Sequence, residues 1–174
     1  MAITRQTGGW LLVGVQFVLF IMMVALPWRV APADLSTSNP LLWLGVVLIV
    51  AGLVVALAGL MRLGSALTAN PVPLPAAGLR TSGVYAVVRH PIYSGILLAA
   101  IGFTLAVGSW WQVLVTVGLG VLFTWKSRWE DTMLAEEYGA AWQKWALNTG
   151  AIVPRLRHRG SSSRQRRDPH DDGR

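Results

Sequence analysis

Two runs of this chain carry no charged residue at all: Trp10 to Leu26 and Leu41 to Met61. Each has the length a helix needs to cross a bilayer, about 17–25 residues. In hydrocarbon every backbone polar group must be paired within the segment, so runs of this kind are restricted to helices. A third run, Ile92 to Val107, is short for a full crossing, and a fourth, Trp110 to Trp125, follows after only Gly108-Ser109. So tight a turn makes the last two helices antiparallel neighbours. Composition agrees, with 53% hydrophobic and 13% charged residues, about half the charged share of soluble domains. The chain has no cysteine, which excludes disulfides, zinc-thiolate sites and cysteine nucleophiles.

The fold class expected is therefore all-α and membrane-embedded, in a single domain over 1–156. Spans are predicted at about 10–27, 41–61, 92–107 and 110–126, with a cytoplasmic amphipathic helix at 129–147 and a basic, disordered tail at 157–174. Arg5, the apolar run and Ala31-Pro-Ala33 loosely resemble a signal peptide, but the run is long and its proline is badly placed for cleavage. Arginines fall on alternate sides of the spans: the loop after the second span holds Arg62, Arg80, Arg89 and His90, the hairpin turn holds no charge, and Lys126, Arg128 and the tail follow the fourth. The positive-inside rule then places both termini and the 62–91 loop in the cytoplasm. Trp28, Trp43, Trp110 and Trp111 would line the outer interface, and Trp10, Trp125 and Trp129 the inner one.

Small residues recur at four-residue spacing, as Gly52 with Ala56, Gly95 with Ala99, Gly102 with Ala106 and Thr116 with Gly120. They allow close helix approach, within one bundle in preference to between copies. In the 129–147 helix, Glu130, Leu134, Ala141 and Trp145 lie near one face, and Gly139 suggests a bend or a close contact. The arginine tail suits anionic lipid better than nucleic acid. The sequence leaves the oligomeric state open.

The chemistry-bearing stretch is Gly83 to Gly95. It gathers Tyr85, Arg89, His90, Pro91 and Tyr93 at the edge of an apolar run, after an extended segment with Pro71, Pro73 and Pro75. Ionisable groups so close to hydrocarbon are expensive and mark function. Pro91 suits a first helical turn, where its missing N–H is no loss. Arg89 and His90 then flank the helix's positive end, a natural seat for a carboxylate. Glu130 points a carboxylate at an apolar face and needs a partner. Because the hairpin brings the start of the third span close to the end of the fourth, Arg89, His90 and Glu130 are expected to converge. No metal site is expected.

The order Gly78-Leu-Arg-Thr-Ser-Gly83-Val-Tyr85, Arg89-His90-Pro91-Ile-Tyr93-Ser-Gly95, then Glu130-Asp131, Leu134, Tyr138-Gly139, Trp142, Trp145 and Pro154 resembles the isoprenylcysteine carboxyl methyltransferase family. These are integral-membrane enzymes related to phospholipid N-methyltransferases. The resemblance covers roughly residues 70–156. It departs from the family at Asp131, where a second glutamate is usual, and at Tyr138, Trp142 and Trp145, which exchange one aromatic for another. It implies S-adenosylmethionine as cofactor and a lipophilic or lipidated acceptor. Tyr85, His90, Pro91 and Tyr93 would hold the cofactor's methionine end, and Leu134, Tyr138 and Trp142 would cover its adenosine. Arg89 and Glu130 are the catalytic candidates, positioning the acceptor. Carboxylate O-methylation needs no base, because the nucleophile is already ionised. The alternatives are N-methylation of a lipid amine, with Glu130 as base, and a non-catalytic lipid-binding protein of the same fold.

Overall fold

The computed structural model describes residues 5–25, 38–64 and 78–155. Four helices account for most of them: α1 (Arg5–Ala25), α2 (Pro40–Leu63), α3 (Pro91–Val107) and α4 (Trp110–Asn148). A short 3-10 helix, Gly83–Ala86, precedes α3. Among the described residues there is no strand, only an isolated parallel bridge between Val88 and Gly150. Trp28, Ala31-Pro-Ala33, the Pro71-to-Pro75 segment and the basic tail lie outside the described residues.

α1 and α2 are long and apolar enough to cross a membrane, and α3 is apolar but shorter. Large apolar side chains point outwards along the bundle: Phe17, Ile21, Val47, Val54, Val117 and Val121 are all more than half exposed. A surface of that kind belongs in lipid, not water.

Each helix starts where the sequence gives it a reason. The Asn39 side chain accepts from Leu41 N–H, and Pro40 opens α2. Pro91 opens α3. The turn into α4 rests on Gly108, whose φ of 69° is left-handed and available to glycine at little cost; its N–H closes on Thr104 O at 2.9 Å.

α3 packs against α2 along a seam of small residues. A Cβ on Gly52 would stand 2.6 Å from Ala99 N, and one on Gly95 would stand 2.6 Å from Ala56 N. Gly45 meets Gly102 and Ala106, and Gly59 meets Pro91 and Ile92. These pairings run in opposite directions along the chain, so α2 and α3 are antiparallel. Three of the four small pairs named from the sequence lie in this seam, so their role is packing within the bundle. In the fourth, Thr116 bonds Thr104 at 2.7 Å, while Gly120 faces open space.

α1 runs antiparallel to α4, tied at three levels: Arg5 to Glu136 at 2.8 Å, Lys126 to Gln16 at 3.0 Å, and Gln112 Nε2 to Met23 O at 2.9 Å. Met23, Ala100, Val115, Leu119 and Phe123 form the core shared by α1, α3 and α4. This arrangement gathers Trp43 with Trp110 and Trp111 at one end, and Trp10 with Trp125 and Trp129 at the other.

One expectation is corrected. The fourth span and the amphipathic helix are not separate elements; α4 continues through residues 126–129 without interruption. Lys126-Ser-Arg-Trp129 contains neither glycine nor proline, so polarity changes there while the backbone has no cause to stop. The break comes at Gly139, with φ 50° and ψ −122°. A Cβ there would meet nothing, so Gly139 serves a bend and not a close contact.

Candidate active site

The site lies where α3 begins. His90 occupies the N-cap of α3 without using its side chain to cap. Its backbone, and that of the residue before it, are held instead by the chain beyond α4: Arg89 N–H donates to Gly150 O at 2.8 Å and His90 N–H to Ala151 O at 2.9 Å. Ser94 Oγ donates to Ile152 O at 2.5 Å, and Trp145 Nε1 to Tyr85 O at 2.9 Å. Residues 145–152 are thus laced across the entrance to α3.

Freed from capping, the imidazole of His90 lies between two carboxylates. Its Nε2 is 3.0 Å from Asp131 Oδ1, and its Nδ1 is 3.4 Å from Glu130 Oε2. Only 5% of His90 is exposed. Burial alone would push its pKa down, but the bonds to Asp131 and Glu130 and their negative charge prevail and raise it to about 9. His90 is therefore an imidazolium at neutral pH. Burial would raise the Asp131 pKa, yet His90 and Arg89 together hold it below the usual carboxyl range.

Tyr93, in the first turn of α3, donates its hydroxyl to Glu130 Oε2 at 3.1 Å. Its ring stacks on His90 at 5.5 Å and on Phe123 at 5.0 Å between centroids. Arg89 pairs with Asp131 at 2.8 Å, both side chains being nearly buried. Its Nη1 donates to the carbonyls of Ala146 and Thr149, and its guanidinium lies 5.6 Å over the Trp142 ring.

The sequence-predicted residues are thus brought together unevenly. His90 and Glu130 meet, with Tyr93 bonded to Glu130, and Arg89 joins them through Asp131 instead of Glu130. Tyr85 is buried, and its hydroxyl donates to Gly59 O at 3.4 Å; burial, then the charge of Glu130, pushes it up to about 12. Pro91 is buried against Gly59. Leu134 and Tyr138 are half-buried on α4, one and two turns beyond Glu130, and Trp142 follows the bend at Gly139. Sequence reasoning gave Asp131 no role of its own. The signal was there: two adjacent cationic candidates, Arg89 and His90, face two adjacent acids.

Two of the site's polar atoms without a partner among the described residues bear on what it could hold. Trp142 Nε1 is buried without an acceptor, and Glu130 Oε1 receives no hydrogen bond, on a side chain 27% exposed. Buried polar atoms ordinarily find partners, so an orphaned donor asks for one. An unpaired indole donor and an open carboxylate oxygen on the same helix suit a zwitterionic ligand. Arg89, which lies over the Trp142 ring, also lines a cleft of about 550 Å³ together with Ala146, Thr149, Gly150, Ala151, Val153, Pro154 and Arg155. That is within the usual range for small-molecule sites, about 300–1,000 Å³.

The phospholipid methyltransferase family model matches residues 40–141, more than half of the chain. Comparison with curated proteins gives no match. The match runs from the first residue of α2 to just past the bend of α4, taking in the glycine seam, His90, Tyr93 and the acidic pair. The chain belongs to the phospholipid methyltransferase family, the integral-membrane methyltransferases related to the isoprenylcysteine carboxyl methyltransferases.

Proposed function

We propose that the chain transfers a methyl group from S-adenosylmethionine to the carboxylate of a lipophilic acceptor, at the cytoplasmic edge of the membrane. The observation that carries this reading is the placement of His90, whose Nε2 and Nδ1 face Asp131 and Glu130 at 3.0 and 3.4 Å. Pinned between two carboxylates with its pKa raised to about 9, it already holds its proton and cannot take one from a nucleophile. A carboxylate acceptor needs no base. A lipid amine must shed a proton first, and ordinary carboxyl and alkylammonium groups lie about 6 pKa units apart, about 8 kcal/mol.

The residues present suit the cofactor. Glu130 offers an uncommitted carboxylate oxygen to its cationic end, and Trp142 offers an indole N–H to one of its acceptor atoms. Leu134 and Tyr138 supply apolar cover, while Tyr85, His90, Pro91 and Tyr93 form the wall that holds Glu130 in place. When bound, S-adenosylmethionine supplies a sulfonium methyl, whose C–S bond breaks with its electron pair passing to sulfur as the acceptor oxygen forms the new bond. Arg89 holds residues 146–149 over the site. With Nε, Nη1 and one Nη2 hydrogen spent on Asp131 and backbone carbonyls, it keeps a single N–H for an acceptor carboxylate in the cleft it lines with Arg155. The remaining work is orientation and exclusion of water.

N-methylation of a lipid amine is the second reading, favoured by the family match and by the open oxygen of Glu130, which suits an ammonium. Membranes containing the protein, given cofactor labelled in the methyl group, separate the two. A base-labile labelled lipid is an ester and supports carboxylate transfer. A base-stable labelled lipid is a methylated amine and overturns it.

A further inference from the structure

Lys126 has no part in the chemistry above, yet it is 3% exposed. A buried ammonium needs strong reasons to be where it is. Its Nζ donates to Gln16 Oε1 at 3.0 Å and lies 5.3 Å over the ring of Tyr93. Tyr93 in turn donates to Glu130, which stands one helical turn beyond Lys126 on α4, where i and i+4 side chains share a face. The contacts form one chain: Gln16 on α1, Lys126 on α4, Tyr93 on α3, Glu130 on α4. Gln16 is itself out of place, a polar side chain in the middle of an uncharged span.

We infer that Gln16 and Lys126 are positioning residues of this site, so that α1, which lies outside the family-matched segment, completes it. The inference rests on the proposed function only in saying what is positioned. A cation on the ring face draws electron density from the phenol and makes its O–H a stronger donor. It also places positive charge one turn from Glu130, where the surrounding dielectric is low. Gln16 fixes the ammonium on the ring, since Lys126 would otherwise be free to turn towards the polar edge. Removing Gln16 leaves the fold of α3 and α4 intact and lets the Tyr93–Glu130 bond loosen.

The experiment is run on the full-length protein in detergent or nanodiscs, with two readouts. The first is the tyrosine Raman doublet, isolated as the difference between each protein and its Tyr93→Phe counterpart. The parent should show Tyr93 as a strong donor; Gln16→Leu and Lys126→Met should lose that signature and Gln16→Glu should retain it. An unchanged doublet in both Gln16→Leu and Lys126→Met overturns the inference, whether or not methyl transfer is detected. The second readout is transfer itself. Gln16→Leu should lower kcat about 10-fold, the worth of one hydrogen bond to a charged group, with KM for the cofactor little changed and Gln16→Glu restoring it. Arg5→Ala, which frees the other end of α1, should leave kcat unchanged. An equal fall in Arg5→Ala and Gln16→Leu would show that α1 merely docks and would overturn the inference. A parent protein that transfers no methyl while the Raman signature follows Gln16 would count against the proposed function alone.

Discussion

α3 is held in two ways along its length. From Pro91 to Ala106 it meets α2 through missing side chains, backbone against backbone at Gly95 and Gly102. At its entrance it is held by ions, with Arg89 and His90 closed onto Asp131 and Glu130. The seam is a matter of shape. It has no charge to titrate and no tolerance for an added carbon. The ionic knot is a matter of charge, tolerant of small changes in volume but dependent on every partner. The contrast shows why one helix can be both a rigid scaffold and one wall of the candidate site: its position is set by the seam, and its electrostatics by the knot.

The largest effect should come from the knot. Asp131→Ala strands two cations, and losing one partner of a buried pair costs about 3–5 kcal/mol. Thermal unfolding in detergent should show a large fall in midpoint for Asp131→Ala. A shift no larger than that of a surface variant would mean the knot is not structural.

Next comes the seam. Gly95→Ala puts a carbon against Gly52 and Ala56, an overpacking cost of about 1–3 kcal/mol. Its loss should be the same at every pH, whereas the parent's stability should follow the knot. His90's raised pKa, about 9, exceeds the ordinary imidazole value. Its stabilisation is therefore complete below about 6.5 and lost as pH rises through 9. Asp131 is depressed, so its contribution is present above the ordinary carboxyl range, about 4, and lost on acidification through its lowered value. Stability should be highest between those limits, and Gly95→Ala should track the parent curve at a lower level. A pH-independent parent would break the comparison.

The smallest effect belongs to Arg5→Ala. The Arg5–Glu136 pair is 62% and 59% exposed, and such pairs are worth less than about 1 kcal/mol. Its removal should move the midpoint little, and less still at high salt.

Much of the fold and site is legible in the sequence for physical reasons. Uncharged runs can only be helices in lipid, Gly108-Ser109 can only be a tight turn, and Pro91 beside His90 marks a helix start. Those constraints suffice to bring His90 and Glu130 to the same end of one hairpin. The continuity of α4 is hidden because its change in polarity at Lys126 looks like an end, while the bend comes at Gly139. The partner of Arg89 is hidden because neighbouring Glu130 and Asp131 point in different directions from one helix, and spacing alone does not say which carboxylate reaches which cation. The seven-residue spacing of Gly45, Gly52 and Gly59 can be read as a seam, although its four-residue components are what stand out. Lys126 and Gln16 are invisible because their meeting depends on how α1 lies on α4, which no local pattern specifies.

The most direct test of the account is the affinity of the purified protein for S-adenosylmethionine, measured by calorimetry on the parent, Glu130→Gln and Arg5→Ala. Under the proposed function the parent and Arg5→Ala should bind alike, and Glu130→Gln should bind at least about 10-fold more weakly, the cost of one charge-assisted contact. Equal binding by Glu130→Gln and the parent, or no binding by any of the three, would contradict it.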